Sequence, residues 1–280
     1  MKMKKIILSL TVLIFMLICY PFNYILATTN ENLSIYAPSV ILMDADSGKI
    51  LYEKNAHETR FPASTTKLMT AILTMENCSL DEIAKVSYNA VFDVPSGYSN
   101  AALKVDEELT INDLLHALLI SSANDAANVL AEHIAGSIES FSAMMNTKAT
   151  EIGCKNTHFV NPSGIHNHDH YSTAYDLCLI AKYAKQYDTI NQIATTTFYT
   201  LPATNKYSKP DRYLTTTNNL LKPENQKYYY EYANGLKTGY TTEAKDCIIA
   251  TASKDNINLI AVVLGANSIR RYFWRKIFRL

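Results

Sequence analysis

Three short motifs in this 280-residue sequence hold residue types able to perform chemistry at a carbonyl carbon. Ser64-Thr65-Thr66-Lys67 places a hydroxyl and an amine one helical turn apart on one face. A serine hydroxyl is a poor nucleophile until a base removes its proton. A lysine is that base only when neutral, so burial or a neighbouring cation must depress its pKa. A helix start at Ser64 also aims backbone N–H groups at an oxyanion developing beside it. Ser122-Ala123-Asn124 falls in a short break between two apolar segments, where a hydroxyl can relay a proton and an amide can hold a carbonyl. In isolation, Ser and Asn between helices are more often caps. Lys237-Thr238-Gly239 opens a strand-like run. Its ammonium and hydroxyl suit a carboxylate, Gly239 leaves room for a substrate backbone, and a cationic Lys237 near Lys67 would help to keep that amine neutral. Singly these motifs are weak: S-x-x-K arises about once by chance in a chain of this length.

The elements that must position them follow from periodicity. Val40–Met43 and Ile50–Tyr52 read as strands joined by a turn through Asp46, Ser47 and Gly48. The pattern from Ser64 to about Glu76 is apolar around most of a helix, as expected of a buried one. Further helices are expected at Ile111–Ile120, Asp125–Ala135, Ile138–Ile152 and Ala174–Gln186. Gly136 and Gly153 serve as C-terminal caps, and Thr173 with Asp176 forms a capping box. A polar, Tyr-rich stretch runs from Tyr187 to Tyr232. Three strands then follow at Gly235–Thr241, Cys247–Ala252 and Leu259–Leu264. Strands at both ends with helices between them predict an α+β fold: one antiparallel sheet of about five strands, closed by both ends of the chain, with helices on its faces.

Taken together and in this order, the three motifs resemble the signature set of penicillin-recognising serine acyl enzymes. The resemblance is to the low-molecular-mass D-alanyl-D-alanine carboxypeptidases of peptidase family S11. It runs from about Ala37 to Ala266, carried by ILMDADSGKILYEKNA, PASTTKLMTA, LLISSANDAANVLAEHIAG, FVNPSGIHNHDHYSTAYD and NGLKTGYTTEA. It implies a serine β-lactamase/DD-peptidase-like transpeptidase fold. Ser64 would be the acylated nucleophile, Lys67 its base and Ser122 a proton relay. Asn124 would contact the substrate amide, Lys237 and Thr238 would clamp the terminal carboxylate beside Gly239, and the backbone N–H groups of Ser64 and Tyr240 would form the oxyanion hole. The implied reaction removes the terminal D-Ala from peptidoglycan stem peptides through an acyl-enzyme, with β-lactams as inhibitors, no cofactor and no metal.

The same resemblance sets rivals beside this reading. A serine β-lactamase of class A would carry an E-x-x-L-N loop between the second and third motifs, and none is found. A DD-endopeptidase would cut crosslinks with the same groups. A non-catalytic wall- or penicillin-binding protein would keep the groove without turnover. The family pattern puts an arginine at Asn258, implying a weaker carboxylate clamp here. Relatives usually continue into a β-rich second domain and an amphipathic membrane-anchoring helix; this sequence stops at Leu280, as either a naturally short form or a truncated one.

Composition bounds the remainder. Apolar residues are 48% of the chain and charged residues 19%, which excludes a disordered polar chain or a coiled coil. The formal charge is zero, with 26 basic and 26 acidic residues. Three lysines lie in the first five residues and five basic residues in Arg270–Arg279, so the body between carries 18 basic residues against 26 acidic, a charge of −8. An acidic body excludes nucleic acid as the main partner. Residues 1–27, with Lys2, Lys4 and Lys5 ahead of the apolar run Ile6–Tyr20, read as a signal peptide or N-terminal anchor. The expected site of action is the outer face of the cytoplasmic membrane, as a monomer whose catalytic domain spans 33–280. Within 269–280, Ile269, Phe273 and Ile277 share a face of a basic amphipathic helix, expected to pack on the sheet or to touch the membrane surface. Cys78, Cys154, Cys178 and Cys247 contain no CxxC pair and are expected to be buried free thiols. His166, His168, Asp169 and His170 include the residue types of a zinc site, but a solvated loop explains them better.

Overall fold

The computed structural model describes residues 35–267, so the expected leader at 1–27 and basic helix at 269–280 lie outside the described residues. The chain opens with β1 (Ser39–Asp44) and β2 (Ile50–Lys54). Their turn is held by Asp44, whose Oδ1 accepts from the Ser47 amide at 2.8 Å and the Ser47 hydroxyl at 2.6 Å. A 3₁₀ turn at Ala63–Thr66 leads into α1 (Lys67–Asn77). The sequence placed Ser64 within the α-helix itself. The structure instead holds it in the tighter turn, because the Pro62 carbonyl accepts both the Thr65 hydroxyl (2.7 Å) and the Thr65 amide (3.3 Å).

A small hairpin and helix follow as β3 (Ile83–Lys85), α2 (Tyr88–Phe92) and β4 (Glu108–Thr110). The helical layer continues with α3 (Ile111–Ile120), α4 (Asn124–Ala135), α5 (Ile138–Ile152) and α6 (Ala174–Ala184). Gly136 at φ +77° and Gly153 at φ +98° end their helices in the left-handed region, as expected. Only half of the expected capping box forms. Thr173 accepts from the Asp176 amide at 3.0 Å, but the Asp176 carboxylate turns away to the Asn156 amide (2.8 Å) and the Thr157 hydroxyl (2.7 Å). It thereby ties α6 to the loop after α5.

The polar stretch after Tyr187 is more ordered than its composition suggests. It holds α7 (Asp188–Thr195), the hairpin β5 (Phe198–Leu201) with β6 (Arg212–Thr215), and a second 3₁₀ turn at Asn219–Leu221. These elements have three to eight residues, too short for a periodic signal, although Ile190, Ile193 and Ala194 are buried at helical spacing. The chain closes with β7 (Ala233–Thr241), β8 (Lys245–Lys254) and β9 (Ile257–Ala266).

The main sheet is five-stranded and antiparallel, in the order β2-β1-β9-β8-β7. Its middle strands are buried along continuous apolar runs such as Ile260–Leu264, which a sheet packed on both faces requires. Helix α6 lies against β1, β8 and β9. Helix α1 touches α3, α4, α5 and α6, which explains why Lys67 through Thr74 are all buried and why its sequence is apolar all round. Strand β7 is the sheet's last strand, and the 3₁₀ turn carrying Ser64 lies against it. All four cysteines of the described residues are free; Cys178 and Cys247 are buried, Cys78 and Cys154 half-buried. No helix among the described residues is long and apolar enough to cross a membrane.

The β5–β6 hairpin is fastened to the helical layer by a buried ion pair. Glu107 is fully buried and its Oε1 accepts from Arg212 Nη2 at 2.5 Å and from the Thr204 hydroxyl at 2.9 Å. Removing the cation leaves an unpaired buried carboxylate, costing about 3–5 kcal/mol. Arg212→Met should therefore lower the unfolding free energy by roughly that amount. The double variant Arg212→Met/Glu107→Leu should regain most of it; urea titration of both checks this.

Candidate active site

Lys67 begins α1 and is completely buried, so its amine has no water to satisfy it. Its Nζ instead lies 2.7 Å from Asn124 Oδ1, 2.7 Å from the Ser163 carbonyl and 3.0 Å from Ser64 Oγ. A neutral amine has two N–H bonds and one lone pair. Two fixed oxygen acceptors take the hydrogens, and the lone pair is left for the Ser64 hydroxyl. Burial, first, and then the charge of Lys237 hold the amine well below the ordinary lysine range, with Asp125 opposing. Both routes to a neutral lysine that the sequence demanded are thus present.

Asn124 is held as firmly as the amine it faces. Its backbone N–H and its Nδ2 both donate to the Ser99 carbonyl, at 2.9 and 2.8 Å. The next residue, Asp125, accepts from the Ala101, Leu103 and Ala126 amides, fixing the 100–103 loop to the start of α4. Ser122 sits in the break between α3 and α4 at φ +62°, a left-handed backbone that costs a serine of order 1 kcal/mol and that the surrounding helices impose.

On β7 consecutive side chains alternate between faces. Lys237 and Gly239 share the face towards the Ser64 turn, while Thr238 and Tyr240 point the other way. A Cβ on Gly239 would lie 2.8 Å from the Ser64 amide nitrogen and 3.0 Å from that of Thr65. The glycine therefore makes room for the protein's own Ser64 turn, whereas the approach expected there was that of a substrate backbone. Lys237 is 1% exposed, donates to the Thr238 carbonyl at 2.9 Å, and has its pKa lowered to about 7 by burial. The Thr238 hydroxyl shares a 2.6 Å hydrogen bond with that of Thr217. Ser64, Ser122, Asn124, Thr238, Gly239 and Tyr240 line one open groove of about 620 Å³.

A chain with this groove and sheet has known counterparts. The family model for D-alanyl-D-alanine carboxypeptidases of peptidase type S11 matches residues 26–268. The chain belongs to that family. It is 40% identical over 237 residues to the D-alanyl-D-alanine carboxypeptidase DacF of Bacillus subtilis, covering 83% of this chain and 58% of that protein. It therefore spans rather more than half the length of that relative. It is 34% identical over 254 residues to a D-alanyl-D-alanine carboxypeptidase of a Streptomyces species, strain K15, covering 87% and 85%. The crystal structure of the Streptomyces K15 DD-transpeptidase superposes with a TM-score of 0.81 at 34% identity, covering 88% of this chain and 97% of that one. The fold is that of these penicillin-recognising serine peptidases.

For a member of this family, the groups that the sequence reading missed are backbone and second-layer ones. The Ser163 carbonyl belongs to a loop shaped by Asn161, whose Oδ1 accepts from the Ser163 and Gly164 amides at 3.2 and 2.7 Å. Gly164, at φ +81°, passes so close to the Ser64 turn that a Cβ would lie 1.9 Å from the Ala63 carbonyl oxygen. The quoted segment FVNPSGIHNHDHYSTAYD contained these residues, but a main-chain acceptor leaves no side-chain signature. Thr217 and Ser99 have none either.

His170 is buried and its Nδ1 accepts from the Val160 amide at 3.2 Å, so its Nε2–H faces Thr66 Oγ1 at 2.8 Å. Burial, with His158, Lys67 and His166 adding, lowers its pKa to about 3, so it braces the turn as a neutral ring. His166 and His168 pack edge-on with Phe61 and with each other. Asn258, the expected departure, does not line the groove. It bonds Asp46 and Ser253 several residues along the sheet from the level of Lys237, so the clamp does not depend on it.

The close approach at Gly239 generates a test. Gly239→Ala must push the Ser64 turn away by several tenths of an ångström; since a misplacement of about 1 Å costs about 10²-fold in rate, a loss of about tenfold is expected. Acylation of Ser64 by a small thioester, followed by intact-mass spectrometry, should slow by about that factor while circular dichroism stays unchanged.

Proposed function

We propose that the protein is a serine-type D-Ala-D-Ala carboxypeptidase that removes the terminal D-Ala of peptidoglycan stem peptides. The observation that carries this reading is the lysine amine buried between two oxygen acceptors and the Ser64 hydroxyl, with a second buried lysine beside it. In the proposed cycle Lys67, neutral, takes the Ser64 proton as Oγ attacks the carbonyl carbon of the penultimate D-Ala. The Ser64 and Tyr240 N–H groups stabilise the oxyanion. Asn124 holds the substrate amide, while Lys237 with Thr238 grips the terminal carboxylate. Ser122 relays the proton from Lys67 to the leaving nitrogen, so D-Ala departs as a neutral-backbone amine and the acyl group stays on Ser64. Water then attacks the ester, with Lys67 again the base, and the shortened peptide leaves.

The family likeness supports the same reading, since relatives are named both carboxypeptidase and DD-transpeptidase. β-Lactams, as mimics of the dipeptide, would acylate Ser64 and leave slowly. Action on peptidoglycan places the working site outside the cytoplasm, consistent with the leader read at 1–27.

The deciding experiment measures D-alanine released from a diacyl-Lys-D-Ala-D-Ala tripeptide. The parent should release it and Ser64→Ala should not. A folded parent that binds a fluorescent penicillin without releasing D-alanine would overturn the carboxypeptidase reading in favour of a binding protein.

The two lysines also set a pH profile for kcat/KM, which reports the free enzyme. Lys67 must be neutral, so activity rises as pH climbs through its depressed pKa. Lys237 must be charged to grip a carboxylate, so activity falls above about 7. Bound carboxylate stabilises the ammonium, so the falling limb of kcat should lie at higher pH than that of kcat/KM. Lys237→Arg, which does not deprotonate in this range, should remove the falling limb.

A further inference from the structure

Helices α1 and α4 both start in the active site, where Lys67 and Asn124 meet at 2.7 Å. They run side by side for eleven and twelve residues and so end together, roughly 16–18 Å away. At that far end Cys78 caps α1, Glu82 follows four residues later, and His133 lies in the last turn of α4. One donor atom from each of the three lies within 4.8 Å of the others. We propose that Cys78 Sγ, Glu82 and His133 Nε2 form a binding site for a zinc ion that clips the distal ends of the two active-site helices together.

The donor set fits. Thiolate, imidazole and carboxylate are the three ligand types zinc takes, and three protein ligands leave a fourth tetrahedral position for water. In a tetrahedral site ligand atoms are roughly 3.5 Å apart. His133 Nε2 and Glu82 Oε1 are now 2.8 Å apart through a shared proton. Opening that contact by under an ångström and drawing in the thiol would complete the geometry. Coordination releases the Cys78 thiol proton to solvent and moves the imidazole proton from Nε2 to Nδ1 by exchange with water.

The backbone beneath the ligands is already fixed. The Cys78 amide donates to the Thr74 carbonyl at 3.0 Å. The Leu80 and Glu82 carbonyls each accept from the start of α3, at 2.9 Å from the Asn112 and Ile111 amides. Glu82 Oε2 accepts from the Ser79 amide at 3.3 Å, a second-layer contact of the kind that orients a metal-binding carboxylate. Cys78 and His133 are half-buried and Glu82 is exposed, so the site opens to solvent and an ion can enter.

A hydrogen-bonded His–Glu pair with a bystander thiol would need no metal, and the experiment separates the two. The full chain, freed of metal with a chelator, is titrated with Co²⁺ and then with Zn²⁺. One equivalent of Co²⁺ should produce thiolate-to-cobalt charge transfer in the near ultraviolet together with visible bands of four-coordinate intensity, and Zn²⁺ should displace both. Cys78→Ser should abolish the charge-transfer band, and Glu82→Gln or His133→Gln should weaken binding at least tenfold. Cys154→Ser, which alters the other half-buried thiol, should leave the spectrum as in the parent, as should Ser64→Ala. Zn²⁺ should raise the melting temperature of the parent and not of Cys78→Ser. Absence of the band in the folded parent, its survival in Cys78→Ser, or an equal zinc-induced shift in both proteins would overturn the proposal.

Discussion

The structure depends on keeping one lysine amine dry. An isolated ammonium buried away from water is costly enough that the group gives up its proton instead. Lys67 is among the largest fully buried side chains of the described residues, and each element around it contributes to that state. Helix α1 brings Lys67 into the core, α4 brings Asn124, and the Asn161–Ile165 loop brings the Ser163 carbonyl. These acceptors are fixed in turn: Asn124 by the Ser99 carbonyl and the loop by the Asn161 side chain. A bridging water could satisfy the same amine but would not aim its lone pair, whereas two immobile oxygens do.

The second constraint is steric. Ser64 must meet both the last strand of the sheet and the helical layer, so its turn is held between two glycines. Gly239 comes at it from β7 and Gly164 from the loop that supplies the Ser163 carbonyl. A side chain at either position would push the layers apart. The contact that brings Ser64 to β7 also brings the Lys237 side chain to the face where its charge acts on Lys67. Packing and electrostatics at this site are therefore one arrangement, because the glycines set the distance over which the two lysines interact.

Legibility in the sequence followed the length and polarity of each signal. The five main strands were readable as apolar runs bounded by turn residues, such as Val40–Met43 and Leu259–Leu264, and the long helices by their length and apolar faces. The three- and four-residue strands β3, β4, β5 and β6 were not; they are held by pairing and by buried polar contacts such as Glu107–Arg212 rather than by pattern. The side chains gathered round the groove were legible because S-x-x-K, S-x-N and K-T-G are carried by residue identity. Carbonyl acceptors such as Ser163 and Ser99 were not, since every residue has a carbonyl and only the fold selects one. Gly239 was legible as a close approach, but what approaches it depends on tertiary packing that no local motif records.

The two lysines have opposite requirements within one low-dielectric region, and that opposition limits how the proposed site can work. Lys67 must lose its proton to act as a base, and the charge on Lys237 helps it to do so. Lys237 must keep its own proton to hold a carboxylate, yet burial lowers its pKa to about 7. Without substrate the pair would compete for neutrality. A bound carboxylate relieves the competition by stabilising the Lys237 ammonium, which in turn keeps the Lys67 amine unprotonated. Binding of the group that marks the end of the peptide would then help set the protonation state in which Ser64 can be activated. On this reading, selectivity for a terminal carboxylate arises partly at the base as well as at the clamp.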